Sequence, residues 1–308
     1  MPNRLLPRPF RPPARLLRAA GGMFLLAAAA AAAADRPVVA VGIPPLQWVV
    51  DTVAGGRVES VVLLKPGQSP HTFEPAPRQV AALGAARAFL YIGLETERAV
   101  AARAAAQNPA LRCVAVGGLA APAAHSRAAD HPAADHPCRN EDGADPHVWL
   151  APARMAEIAA RCAAVLRGIL PGDADAVDAG LARARARIEA VDAEARALLK
   201  PAAGATLLVY HPSWGHFAAA YGLKQRALEA DGRTPSARHL AGLVSTVRRE
   251  GVRTLFSNPD APEAVVRRAA ATLGCRVEVI DPLAGEWDEN LLRTARRIAA
   301  GTAPEARP

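Results

Sequence analysis

The sequence is poor in cysteine, lacks the signatures of hydrolytic enzymes and carries no confident membrane-spanning run. Its four cysteines, Cys113, Cys138, Cys162 and Cys275, form neither a CxxC pair nor a dense framework, which excludes a disulfide-rich scaffold. Cys113 ends a strand-like run and Cys138 lies in the loop after it, so these two are the best placed to pair. The others read as small buried apolar residues. No HExxH and no GxSxG occurs. The formal charge of +8 misleads, because Arg4, Arg8, Arg11, Arg15 and Arg18 stand in the first 34 residues, which hold no acid. Taking those five charges from +8 leaves +3, and so balanced a chain gives no electrostatic argument for nucleic acid.

Those first residues have a layout of their own. An arginine-rich start leads into Met23-Phe24-Leu25-Leu26, an alanine run and small residues before Asp35. This is the pattern of a secretory signal peptide, residues 1–34, cleaved after Ala34. The apolar run is short for a membrane span, and no cysteine near the cleavage point offers a lipid anchor. The mature protein is expected to be exported and soluble.

What remains can bury a sizeable core. With 308 residues, 51% hydrophobic and 21% charged, the chain has the length for two domains. Short apolar runs at 37–43, 57–64, 88–92 and 112–116 alternate with helical stretches at 47–54, 77–85 and 97–107. That rhythm predicts a mainly parallel α/β sheet. It breaks over 117–146, a loop rich in His and Asp with a tandem Ala-Ala-Asp-His-Pro at 128–132 and 133–137. A helix follows His147 to about Leu170, and Asp173 to Lys200 is almost uninterrupted helix former with Ala and Leu on one side. At 1.5 Å per residue it reaches about 40 Å, the length of a rigid connector between domains. Alternation then resumes, with strands at 206–210, 225–228, 254–257 and 277–280. Helices are expected at 213–221 (Ser213 near the cap), 236–250, 261–273 and 286–299. The expected domains are an N-terminal α/β domain at 35–170, a connecting helix at 171–203 and a C-terminal α/β domain at 204–308.

Four loops in this scheme share a design. Ser69-Pro70-His71-Thr72-Phe73-Glu74-Pro75, Asp145-Pro146-His147-Val148-Trp149-Leu150, Val209-Tyr210-His211-Pro212 and Val279-Ile280-Asp281-Pro282-Leu283 each set an imidazole or carboxylate beside proline. His71, His211 and Asp281 follow strands, and His147 follows the loop after the fourth strand. Loops at the carboxyl ends of strands face the crevice of an α/β sheet, so two candidate ligands from each half would meet in an interdomain cleft. The residues alone leave two readings open: one shared metal site, or four separate turn and surface residues.

These motifs, with Ser213-Trp214-Gly215-His216-Phe217, Tyr221-Gly222-Leu223 and the 229–236 segment, resemble those of one family over about residues 37–298. It is the zinc/manganese solute-binding proteins of bacterial ABC transporters, the cluster A-I type. The resemblance implies that His71, His147, His211 and Asp281 are metal ligands and that the protein is a periplasmic monomer. It would capture a divalent metal and deliver it to an ABC permease in the cytoplasmic membrane. Three neutral imidazoles and one carboxylate suit Zn2+ in a four-coordinate site. In the manganese-selective branch the third position resembles a Glu, and here it is His211. Glu74 is either an acceptor behind a ligand or a solvated loop charge. His125, His131 and His136 form either a weaker metal-collecting site or a solvated linker. Trp149 and Trp214 read as cleft walls, and His216 and His239 as structural. The alternatives within the family are a Mn2+-binding protein or an adhesin. A secreted zinc hydrolase is the alternative of another class, and it lacks an obvious general base other than Glu74.

Overall fold

The computed structural model describes residues 36–65, 67–71, 73–118, 145–229 and 236–302, the side chain of Ala237 apart. The expected signal peptide, residues 1–34, and most of the 117–146 loop with His125, His131, His136 and Cys138, lie outside those residues. Cys113 is free among the described residues, and its expected partner Cys138 lies outside them. Among the described residues no helix is long and apolar enough to cross a membrane.

The first half runs Val38–Val41 (β1), Pro44–Ala54 (α1), Glu59–Val62 (β2), Pro77–Ala85 (α2), Ala88–Tyr91 (β3), Glu95–Gln107 (α3) and Arg112–Ala115 (β4). Two helices follow, Pro152–Ile169 (α4) and Ala174–Leu199 (α5). The second half runs Thr206–Val209 (β5), Gly215–Ala220 (α6), Lys224–Ala227 (β6), Ala237–Glu250 (α7), Thr254–Ser257 (β7), Glu263–Leu273 (α8), Arg276–Val279 (β8) and Trp287–Thr302 (α9). Each half forms a four-stranded sheet, in the orders β2-β1-β3-β4 and β6-β5-β7-β8, and every pairing among these strands is parallel. The same order twice means that each sheet reverses direction beside its first strand, which opens a crevice at the carboxyl ends.

Several helix starts differ from expectation, and proline explains two of them. α1 begins at Pro44 and not at Gln47, since two prolines with fixed φ and no N–H to lose fit a first turn. After His147 the chain first makes a short 3-10 turn, Val148–Leu150, and α4 starts only at Pro152. Ala151 precedes that proline and is extended, at φ −103° and ψ 123°, as the proline ring demands of its neighbour. α6 starts at Gly215, with Trp214 at its cap position and no side-chain cap, so Ser213 does not cap it. The Ser213 N–H is instead spent on the carbonyl of His211, 2.8 Å away, which tightens the turn around Pro212.

α5 joins the two halves. Its 26 residues span about 39 Å, and its buried positions, Val177, Gly180, Leu181, Ala184, Ile188, Val191, Ala195 and Leu199, follow the three-and-four spacing of one helix face. That face packs against α1 and α4 from the first half and α9 from the second. One apolar core therefore runs through both halves, from Val39 in β1 to Ile298 in α9. A smaller cluster, with Leu208, Leu243, Leu255 and Val266, fills the space between the second sheet and α7 and α8. Indole hydrogen bonds tie the halves further. Trp149 Nε1 donates to the carbonyl of Pro282 at 2.7 Å, and Trp287 Nε1 donates to the carbonyl of Trp149 at 2.8 Å. Both rings are fully buried, where an indole N–H needs such an acceptor.

The approach of α5 to α1 depends on a missing side chain. A methyl group on Gly180 would lie 2.0 Å from the carbonyl oxygen of Val53, so backbone would have to move. Gly180→Ala is expected to destabilise the protein by about 1–3 kcal/mol, the usual range for overpacking. Gly84→Ala, in α2 with open space around the new methyl, should be neutral or slightly stabilising. Urea unfolding of both variants measures the contrast.

Candidate metal centre

Three of the four expected ligands meet. His71, His147 and His211 each present a ring nitrogen within 4.8 Å of the other two. Their ring centroids form a nearly regular triangle, with sides of 5.4, 5.2 and 5.5 Å.

Each histidine is held by its own local structure. The loop carrying His71 is pinned to the first turn of α3, where Thr96 Oγ1 donates to the carbonyl of Pro70 at 2.6 Å. Phe73, two residues on, is buried beneath it. His147 sits in the turn before the 3-10 segment. Asp145 Oδ1 accepts from its backbone N–H at 2.9 Å and from its Nδ1 at 2.8 Å. The side chain is 2% exposed, and its ring lies 5.3 Å from that of Trp149. His211 follows β5, whose ladder continues past the formal strand ends: Leu228 N–H donates to Val209 and Glu229 N–H to Tyr210, both at 2.9 Å. This register brings Glu229 Oε2 to 2.5 Å from His211 Nδ1.

The two carboxylates set the chemistry of the rings. A carboxylate at Nδ1 keeps the proton there and leaves the lone pair on Nε2, the arrangement that orients metal-binding histidines. Two of the rings are also held neutral. Burial, then the neighbouring His147 and His211, push the His71 pKa down to about 3, against a smaller opposing pull from Asp145. Burial lowers that of His147 too, although Asp145 works the other way. Burial alone would raise the pKa of Asp145, but its hydrogen bonds and proximity to His147 outweigh that and hold it low. Near neutral pH His71 and His147 are thus uncharged nitrogen donors, the latter backed by the Asp145 carboxylate, the form a divalent cation requires.

Asp281 stands apart. Among the described residues it is not one of the group that the three histidines form. Its Oδ1 accepts from the Leu283 N–H at 2.8 Å, and its carbonyl accepts from Asn290 Nδ2 at 2.7 Å. Its carboxylate lines a cavity of about 490 Å³ between the halves, with Lys65, Gln68, Asp260 and Glu286. Burial, and then Asp260, raise its pKa. Glu74 is exposed, and the acceptors behind the histidines are Asp145 and Glu229. Sequence reasoning missed both. Asp145 was visible as the residue two before His147 in an Asp-Pro-His turn, whereas Glu229 becomes significant only once β5 and β6 are paired. Trp149 and Trp214 are fully buried core residues and not cleft walls. The structural reading of His216 and His239 agrees with their bonds: His216 Nε2 lies 3.0 Å from the Asp145 carbonyl, and His239 Nε2 lies 3.1 Å from that of Ala227.

Residues 39–299 match the family model of the periplasmic zinc-uptake complex component A, ZnuA. The chain belongs to the ZnuA family. It is similar to a crystal structure of ZnuA, at 31% identity and TM-score 0.78, over 87% of this chain and all of that one. The high-affinity zinc uptake system protein ZnuA of Paracoccus denitrificans is 28% identical over 254 residues, 72% of this chain and 76% of that protein. The zinc-binding protein AdcA of Streptococcus pyogenes serotype M1 is 26% identical over 251 residues, 78% of this chain. This chain covers only 49% of that relative's length. Members of the ZnuA family are solute-binding components of metal uptake, so the two parallel sheets and connecting helix are the architecture of a binding protein.

The lowered histidine pKa values predict a pH dependence in the metal-free protein. Between about 6.5, the ordinary value, and about 3, where His71 titrates in the folded state, His71 binds more protons in the unfolded chain than in the folded one. Its contribution to stability therefore falls as pH falls through that window, opposed in the upper part by buried Glu97, whose pKa burial pushes up to about 7. His71→Asn removes one such group and should flatten the loss, measured by thermal melting of metal-free protein between pH 7 and pH 4.

Proposed function

We propose that this protein captures Zn2+ in the periplasm and hands it to an ABC permease for import. The observation that carries the reading is the triangle of histidines, two of them backed at Nδ1 by Asp145 and Glu229. His71, His147 and His211 are assigned as three nitrogen ligands. Asp281 is assigned as the fourth ligand, drawn from the cavity wall when metal arrives. Its place just after β8, in the sheet that also carries His211, supports that role. Nitrogen ligands with one carboxylate match the tetrahedral preference of Zn2+ better than the oxygen-rich coordination Mn2+ favours. The relatives named for zinc binding and zinc uptake favour the same ion.

Capture, not catalysis, is the role we assign to the site. A catalytic zinc keeps one position open for water, and here Asp281 is assigned to fill it. Membership of a family of uptake components points the same way. The hydrolase alternative has no support from the comparisons.

Isothermal titration of metal-free protein should show one tight Zn2+ per chain. His147→Ala should weaken binding beyond the 10–100-fold typical of losing an outer partner, while His239→Ala should leave it near wild type. Equal effects would refute the ligand assignment. Asp281→Ala tests the fourth position: an unchanged affinity would give that place to water. His211→Glu should move the ratio of Zn2+ to Mn2+ affinity towards Mn2+, because a carboxylate supplies harder donors. Competition titrations at one pH read that ratio.

A further inference from the structure

Asp145 is held from both halves of the molecule. Within the first half its Oδ1 accepts from the backbone N–H and Nδ1 of His147. Its carbonyl accepts from His216 Nε2 of α6, in the second half, at 3.0 Å. Its other carboxylate oxygen rests against Gly215, the first residue of α6. A methyl group on Gly215 would lie 2.5 Å from Asp145 Oδ2, 3.7 Å from its Cγ and 3.6 Å from Gln225 Nε2.

Only Asp145 Oδ2 would have to move, and Gln225, at an ordinary van der Waals distance, bounds the same pocket. Gln225 is buried, and its Oε1 accepts from the Trp214 N–H at 2.7 Å. The Asp145 side chain is short and already tied through Oδ1 to His147. Moving Oδ2 by the roughly 1 Å needed to restore van der Waals contact would drag the carboxylate off the imidazole. Gly215 is not in the left-handed region, so the backbone does not require glycine there. Space does.

We infer that Gly215 is a positioning residue for the metal site: by lacking a side chain it lets the Asp145 carboxylate seat between the halves and so fixes the His147 ring. It acts through Asp145, whose Oδ2 is the nearest atom to the missing methyl. One zinc ligand of the first half is then oriented by the seating of the second half against it. The inference rests on the zinc-binding reading above.

The test is a double-mutant cycle read by zinc competition titration, with Co2+-loaded protein as a spectroscopic monitor of ligand geometry. Gly215→Ala should weaken Zn2+ binding about 10-fold or more, the range for loss of an outer partner, and alter the visible absorption of bound Co2+. Gly242→Ala, in α7 with open space around it, should change neither. In an Asp145→Ala background the further effect of Gly215→Ala should vanish, since residues acting as one unit are not additive. A Gly215→Ala protein that binds Zn2+ like wild type overturns the inference, and so does a loss that persists undiminished without the Asp145 carboxylate. Should Gly215→Ala fail to fold, His216→Ala carries the test, because it removes the other contact from α6 to Asp145. Weakened zinc binding would uphold the seating, and wild-type affinity would overturn it. A wild-type protein that binds no zinc would sink the transport reading itself, a result distinct from all of these.

Discussion

Packing three imidazole rings against one another is tolerable only if all three stay uncharged, and the local architecture follows from that constraint. Protonating one would place a cation among its neighbours in a site largely shielded from water. Burial and mutual repulsion keep His71 and His147 neutral. The carboxylates of Asp145 and Glu229 then fix which nitrogen carries the proton. The opposing effects are arranged in space: negative charge lies behind the rings, and lone pairs lie in front. A divalent cation arriving at the front completes the charge balance without any proton having to leave.

Such a site spans two sheets, so it is only as accurate as the register between them. That register comes from burial. α5 is flanked by helices of both halves, the apolar core is continuous across them, and Trp149 and Trp287 exchange hydrogen bonds with backbone on the opposite side. The metal-binding loops are anchored in this framework by Phe73, Trp149 and Trp214, which are buried in the same core. His147 is the clearest case. Its own turn positions the backbone, its neighbour Trp149 bolts that turn to Pro282, and Asp145 reaches across to α6.

Much of this was legible in the sequence because it depends on local pattern. Short apolar runs between turn residues marked all eight strands. The uninterrupted helix formers from 173 to 200 marked the connector, and histidines beside proline at strand ends marked the candidate ligands. What stayed hidden depends on pairing or on shape. Glu229 meets His211 only because β6 lies beside β5 in register. Gly215 looks like an ordinary helix start until the carboxylate of a residue 70 positions earlier is found against it. Asp281 was readable as a strand-end carboxylate, but not its place on a cavity wall apart from the histidines. The exact helix starts at Pro44 and Pro152 were within reach of proline chemistry, which outweighs the apolar pattern there.

The central claim is that the three histidines form the first coordination sphere of a captured zinc ion. X-ray absorption spectroscopy at the zinc edge, on protein loaded with one equivalent of Zn2+, tests it most directly. A four-coordinate shell of light atoms at about 2.0–2.1 Å is expected, with the outer-shell multiple scattering of three imidazoles and a remaining oxygen donor. A shell containing sulfur, or one with imidazole scattering from fewer than three rings, would contradict it.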